Sequence, residues 1–398
     1  MTDEKLLSTL ATIVRGSSPR PKGDPRYYGG SIPRLMVSDV SRDGMYVTPQ
    51  IDFLTEEGAK KSRPMKKGDV IIAVSGDPGE PCILNVDACI HDGFVGLRDL
   101  DTKLIFSPYL YQYLKLVKER NKAQAVGAIY KNLNTDQIKK IKIPLPPLST
   151  QQHIAQILDK ADTLRQKDQA LLAHYDQLAQ SLFLEMFGDP VLNPKGWNMI
   201  QFNTVLKNIE NGWSPVCEPK SRNSDEQWAV LKLGAVTYRT YNSLDHKVLP
   251  KSEAGRPEIE VKKGDLLFTR KNTYELVGAS AFVFDTPPKL MLPDTIFRLN
   301  YDIEKSHPLF LYFLINHQNY RKEIQRLASG TSGSMPNISK GKLMKKILPL
   351  PPIELQNQFA ERIASIEAQK AIAQKAAEQS EALFQSLLQR AFKGELVE

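Results

Sequence analysis

The chain lacks the signatures of most catalytic machinery. It contains no GxxxxGK[ST] loop, so ATP hydrolysis by this polypeptide itself is not expected. The six histidines are scattered, with no HExxH or other metal-ligand spacing. The Asn-Pro-Pro-aromatic or Asp-Pro-Pro-aromatic tetrad that holds a flipped adenine is missing, as is a glycine-rich methyl-donor loop after a first strand. Asp294, Glu304 and Lys305 do not have the spacing of a nuclease carboxylate–lysine cluster. Cysteine is scarce: Cys82, Cys89 and Cys217 fit neither a zinc ribbon nor CxxC, and read as reduced, partly buried thiols. No run of 18 apolar residues occurs, so no membrane span is expected. The N-terminus, MTDEKLLSTLATIVRG, has neither a basic region nor a continuous apolar segment, so the expected location is cytoplasmic.

What is present is ordinary in bulk and unusual in arrangement. Hydrophobic residues make up 41% and charged residues 25% of 398, values typical of a soluble globular protein with room for two domains. The net charge of +8 favours an anionic partner, of which nucleic acid is the commonest. The arrangement is a repeat. IPLPPLSTQQHIAQIL from Ile143 returns as LPLPPIELQNQFAERI from Leu348, a shift of 205 residues that holds from Leu133/Ile338 to Phe187/Phe392. Earlier anchors repeat at a shift of 196: VRGSSP with ENGWSP, and KKGDVIIA with KKGDLLFT. About nine residues are therefore inserted in the second copy between these anchors. The expected organisation is a globular unit over 1–148, a helix over 149–188, a second unit over 189–353 and a second helix over 354–398.

Ser149 is the expected N-cap after a proline-rich lead-in, with Gln152 three residues on to complete a capping box. From Gln152 to Phe187 there is no proline or glycine. Ile154, Ile157, Ala161, Leu164, Asp168, Leu171, Tyr175, Leu178 and Leu182 alternate by three and four, a heptad seam. The second helix has a weaker seam in Phe359, Ile363, Ile366, Ala373, Leu383 and Leu387, with Ala376 and Ala377 in its small-residue middle. Such helices pack either on their own units or on each other. The repeat favours an antiparallel coiled-coil pair about 50 Å long.

Short apolar runs such as Val70–Val74 and Leu266–Thr269 read as strands, and the segments from Ser107 and His307 as helices. The fold class is α+β: two similar mixed α/β units with a pseudo-two-fold internal repeat and two long helices. Recognition belongs in the loops between anchors. The first unit offers Arg20, Lys22, Arg26, Tyr27 and Tyr28, and the loop from Ala125 to Leu133 with Lys131. The second offers Lys220, Arg222, Asn223, Arg239, Arg270, Lys271, Asn272 and Tyr274, and the loop from Ala328 to Ile338. Arginine and lysine bond guanine edges and asparagine pairs with adenine, but the same side chains also serve phosphate, and a charged loop is often only solvated.

The duplicated PLPP lead-ins (Pro144–Pro147 and Pro349–Pro352), Gln151, Gln152, Gln356 and Gln358 at the helix starts, and the GxxP and KKGD anchors resemble the specificity subunit of type I restriction–modification systems over essentially the whole chain. The resemblance implies two target recognition domains, each reading half of a split double-stranded DNA sequence. It implies paired helices that set the gap and hold two modification (methyltransferase) subunits, with two endonuclease/translocase subunits as further partners. The chain itself is then non-catalytic. Adenine methylation and ATP-dependent cleavage, with S-adenosylmethionine, ATP and Mg, belong to the partners. The first unit departs from the second in lacking its Pro-x-Gly-Trp lead-in (Pro194–Trp197), so its N-terminal edge is expected to be organised differently or tied to the tail GELVE. The alternative is a duplicated protein-binding scaffold that does not read DNA.

Overall fold

The computed structural model describes residues 4–124, 133–330 and 335–396. The chain divides into two units: Met1–Ala170 with Gln374–Glu398, and Leu171–Ala373. Each unit contains part of both long helices, Leu148–Phe187 and Ile353–Lys393.

In the first unit a five-stranded sheet runs in the order Thr12–Arg15, Phe94–Arg98, Val70–Ala73, Pro81–Leu84, Tyr46–Val47. A second sheet orders Asp52–Leu54, Tyr28–Leu35, Ala88–Ile90 and Arg63–Met65. Val70–Ala73 is buried along its whole length, as a run of β-branched residues between two packed layers should be. One side faces a core of Leu7, Leu97, Tyr109 and Leu110 together with Leu158 and Leu388 of the long helices; the other faces Leu35, Val47 and Phe94.

The second unit repeats this strand order with one strand fewer in each sheet among the described residues. Leu206–Asn211, Ile296–Tyr301, Leu266–Thr269 and Ser280–Phe282 form the larger sheet, and His246–Val248, Ala229–Leu231 and Leu290–Met291 the smaller. The parallel pairing of Tyr28–Leu35 with Ala88–Ile90 recurs between Ala229–Leu231 and Leu290–Met291. The helix Pro308–Asn316 begins with proline at its first turn, where the missing N–H has no partner to lose.

The expected difference at the N-terminal edge is not found. Glu4–Leu6 pairs antiparallel with Lys142–Pro144, just as Asn198–Gln201 pairs with Ile347–Leu350. Backbone pairing needs no Pro-x-Gly-Trp segment. The tail does rest on the first unit, where Leu396 packs against the core.

Within each unit the two long helices lie antiparallel. In the first, Ile154, Leu158 and Ala161 share a core with Phe384, Leu388 and Ala391, and Arg165 bonds Glu381 at 3.1 Å. In the second, Phe183 and Phe187 lie 5.8 and 5.2 Å from Phe359, and Asp176 pairs with Lys370. The expected seam is half corrected. Ile154 and Ala161 are buried and Tyr175 is half-buried, but the neighbouring rail is Leu158, Arg165, Leu172 and Ala179. Of the residues expected there, Ile157 is half-buried, while Leu164, Leu171 and Leu178 are exposed. Arg165 holds the polar centre by lying over the Phe384 ring at 5.1 Å while its head pairs with Asp162 and Glu381. In the other helix Phe359, Ile363 and Ala373 are buried, while Leu383 is exposed and Phe384 takes its place. Ile366, Leu182 and Leu387 are half-buried against the cores.

Candidate nucleic-acid interface

Strand register brings three loops to one end of the larger sheet in each unit. In the second unit Asn211 faces Phe297, which faces Phe268. The loops that follow Asn211 and Thr269 and the one that precedes Ile296 therefore emerge together. Backbone bonds bind them: Trp213 N donates to Leu292 O at 2.8 Å, and Arg270 N to Thr295 O at 3.0 Å. The segment at Ile338 joins them through its N–H to Arg270 O at 2.8 Å. In the first unit Gly16 N donates to Phe94 O, Ser17 N to Ile90 O and Val74 N to Gly93 O, so the equivalent loops meet in the same way.

These loops differ where the scaffold does not. Ile72 faces Pro81 in the first unit and Phe268 faces Ser280 in the second, so the hairpin loop comprises 73–80 (8 residues) against 269–279 (11 residues). The shorter loop is acidic: Asp77 and Glu80 both pair with the buried Lys118 amine. The longer one carries Arg270 and Lys271. Arg270 lies 5.2 Å from the Phe297 ring, with its Nε donating to Asn337 Oδ1 at 3.1 Å; Lys340 approaches the same ring at 5.8 Å. Lys271 and Tyr274 are exposed. In the first unit Arg20 and Lys22, both exposed, lie at this end. Arg20 acts on the Asp92 carboxylate, and Lys22 adds to the burial and Arg34 charge that hold the His91 pKa down.

Several candidates prove to be held internally. Tyr27 is buried beneath Lys61, whose amine lies 4.1 Å from its ring, and the Tyr28 hydroxyl donates to Pro19 O at 2.8 Å. Arg26 forms a 2.7 Å ion pair with Asp24, and their hydrogen bond lowers the Asp24 pKa to about 2. The Arg222 side chain is only 4% exposed; it donates to Pro288 O at 2.6 Å and pairs with Asp225. Asn272 is buried, with Nδ2 donating to Thr237 Oγ1 at 3.0 Å, so its amide faces the protein and not solvent. Asn223 is exposed and its N–H donates to Gln227, while Lys220 pairs with Glu218 at 2.6 Å. Arg239 is exposed in the left-handed region (φ 67°), and its carbonyl accepts from Tyr312 Oη. It lines a cavity of about 670 Å³ with Tyr238, Tyr312 and His317. Lys131 lies outside the described residues. Asn337 lies in the candidate loop from Ala328 to Ile338; Lys340 and Trp213, over whose ring Arg256 sits at 3.6 Å, were not among the candidates. For Trp213 the signal was present, inside the repeated GxSP anchor. Among the described residues no group of three or more His, Cys, Asp or Glu is close enough to hold a metal, and no helix is long and apolar enough to cross a membrane.

Similarity to known proteins adds to this geometry. The family model described as "Type I restriction modification DNA specificity domain" matches residues 9–173 and again 195–381. The chain is 25% identical to the EcoKI specificity subunit of Escherichia coli K12, covering 98% of this chain and 88% of that one. It is 24% identical to the MjaVIII specificity subunit of Methanocaldococcus jannaschii, over 89% and 87%. Identity with the EcoEI specificity subunit of Escherichia coli is 32%, over 41% of this chain and 27% of that one. Among solved structures, the S subunit of a type I restriction–modification system from M. genitalium superposes with a TM-score of 0.57 at 13% identity, covering 98% and 96%. A chain from a structure concerned with assembly and conformational transition of a type I system gives 0.56 at 16%, over 99% and 98%; at these identities both matches bear on the fold alone. With its domain matched twice across most of its length, the chain belongs to the type I restriction modification DNA specificity family.

Proposed function

We propose that each unit reads one half of a split, asymmetric double-stranded DNA target through the loops at the end of its larger sheet. The observation that carries this is the pairing of equivalent scaffolds with loops that differ in length and in sign of charge. Equivalent scaffolds bring loops to one place; different loops select different bases. Arg20 and Lys22 serve the first half-site, and Arg270, Lys271 and Tyr274 the second. Arg270, whose guanidinium is steadied by Phe297 and Asn337, acts as a base reader, while Lys271 acts as a phosphate contact. Removing the Arg270 side chain is then expected to cost about 1–3 kcal/mol and relax one position. Removing that of Lys271 weakens all sequences alike and lowers the salt slope by about one. Titration of the assembled complex on target and scrambled duplexes at several salt concentrations tests both.

The long helices set the gap between half-sites. Exposed Leu164, Leu171, Leu178 and Leu383 dock two modification subunits. Adenine methylation, ATP-dependent cleavage by two endonuclease subunits, and the binding of S-adenosylmethionine, ATP and Mg belong to those cytoplasmic partners. Methylation-aware sequencing of host DNA with the gene present and deleted tests the whole reading. A split motif of fixed gap that disappears on deletion is expected. If the partners are expressed and methylation does not change, the protein-binding scaffold is the better account.

A further inference from the structure

Both units carry the same small device at the end of the sheet where the loops meet. The GxSP anchors place Ser18 and Ser214 just after a strand. Ser18 Oγ donates to Asp92 Oδ1 at 2.6 Å, and Ser214 Oγ to Asp294 Oδ1 at 2.5 Å. In the second unit Asp294 N–H returns a bond to Ser214 Oγ at 3.0 Å. The serines are 196 residues apart (214 − 18) and the aspartates 202 (294 − 92), so the pair persists although the chain between its halves has changed length by six. The glycine two residues before each serine presses on the opposite loop: a Cβ at Gly16 would lie 1.9 Å from His91 O, and one at Gly212 2.0 Å from Leu292 O. Glycine, serine and aspartate thus fix the root of each loop from two sides. Beyond the following proline the chain turns outward, to Arg20 and Lys22 in one unit and to Val216 and Lys220, both exposed, in the other.

Such a bond contributes little to the fold, because Asp92 and Asp294 are exposed and water competes for both groups. A carboxylate at the end of the molecule that meets DNA also repels phosphate. The core gives no reason to keep it in both units while the surrounding loops differ. Fixing the direction of a reading loop does give one, since a contact to a base edge is lost when its root swings by a fraction of an ångström. In the first unit the Ser18 bond, helped by Arg20, also holds the Asp92 carboxyl below its usual range, so the clasp stays charged and closed.

We infer that Ser18–Asp92 and Ser214–Asp294 are positioning residues for DNA readout, each aiming the loop of its own unit and so governing one half of the target. This rests on the DNA-reading function proposed above. The test uses the complete complex with its modification subunits and methylation-aware sequencing. Asp294→Ala and Ser214→Ala are expected to lower discrimination on the order of tenfold at one or more positions of one half-site, leaving the other half and the gap intact. Asp92→Ala and Ser18→Ala give the mirror result. Asp294→Asn, which keeps an acceptor oxygen, restores the motif, and the thermal midpoint of the complex does not move in any of these variants. An unchanged motif in the alanine variants overturns the inference. So does equal blurring of both halves or complete loss of methylation, either of which marks a whole-fold role. If the unsubstituted complex yields no split motif, the DNA-reading proposal falls together with the clasp, and the two failures are thereby told apart.

Discussion

Gln151 and Gln356 open the two long helices, fully buried and with their amides hydrogen-bonded. Gln151 Nε2 donates to Leu104 O and Pro146 O, both at 2.8 Å, and Oε1 accepts from Phe106 N at 2.9 Å. Gln356 Nε2 donates to Pro351 O at 2.8 Å, and its Oε1 accepts from His307 N at 2.9 Å and Ser306 Oγ at 3.0 Å. Each ties a proline lead-in, a long helix and the loop before the globular helix together in a dry environment. Gln356→Leu keeps the volume but leaves the His307 N–H and Pro351 carbonyl without partners. The expected loss is about 1–3 kcal/mol for each group so orphaned, read as a lower thermal midpoint of the second unit. The repeat marked this glutamine as special; burial of Gln151 beside an exposed Gln152 depends on helix phase, which the proline lead-in leaves open. His91 supplies a pH prediction. Its Nδ1 accepts from Gly93 N at 2.9 Å, and burial, then the charges of Arg34 and Lys22, hold its pKa below 6.5 against the opposite pull of Asp92 and Asp52. The folded state thus binds fewer protons than the unfolded one, so this stability is complete above about pH 6.5 and is lost as pH falls below it. His307 and His317, depressed by burial as well, act in the same direction. The thermal midpoint should fall between pH 7 and 5, and His91→Asn, which keeps an acceptor without the titration, should make that fall shallower.

At the scale of elements, the heptad pattern was legible and its phase was not. The positions 154, 161, 168 and 175 form one rail under either phase; apolar content alone favours Ile157, Leu164, Leu171 and Leu178 for the other. The structure uses Leu158, Arg165, Leu172 and Ala179, because Leu158 and Ala179 also complete the cores of the globular units and Arg165 supplies an ion pair. A helix that serves two neighbours is phased by both, and a linear pattern sees only one. The consequence is testable. Leu158→Ala, at 0% exposure, should cost about 2–5 kcal/mol. Leu164→Gln, Leu171→Gln and Leu178→Gln, at 46%, 41% and 52% exposure, should each change stability by no more than about 0.5 kcal/mol. The triple variant should instead lose co-purifying modification subunit, which a pull-down reads; undiminished capture would remove this stripe as the docking face. The strands and the repeated sheet were legible because apolar runs and KKGD turns recur. Candidate reader residues were less so: Tyr27, Arg222 and Asn272 have suitable chemistry but are turned inward by Lys61, Pro288 and Thr237, contacts distant in sequence.

At the scale of the whole molecule, the two long helices are, among the described residues, the elements shared by both units, 40 and 41 residues without a proline or glycine. At 1.5 Å per residue, 40 residues of helix correspond to a rise of about 60 Å. If they set the gap, lengthening both must lengthen it. Four residues of strong helix formers inserted between Ala170 and Leu171, and four between Ala373 and Gln374, add one turn at the boundary between units, where Ala170, Leu171 and Gln374 are exposed. A four-residue insertion only locally unwinds a helix pair, so the flanking contacts survive. The added rise of about 6 Å corresponds to nearly two base pairs at 3.4 Å each. Both half-sites should therefore stay unchanged while the gap grows by one or two base pairs in the methylated motif. If the half-sites belong to the sheet-end loops and the gap to the helices, the two properties separate. A motif that keeps its original gap in the lengthened protein would show that spacing is fixed elsewhere, by the modification subunits or by the DNA itself.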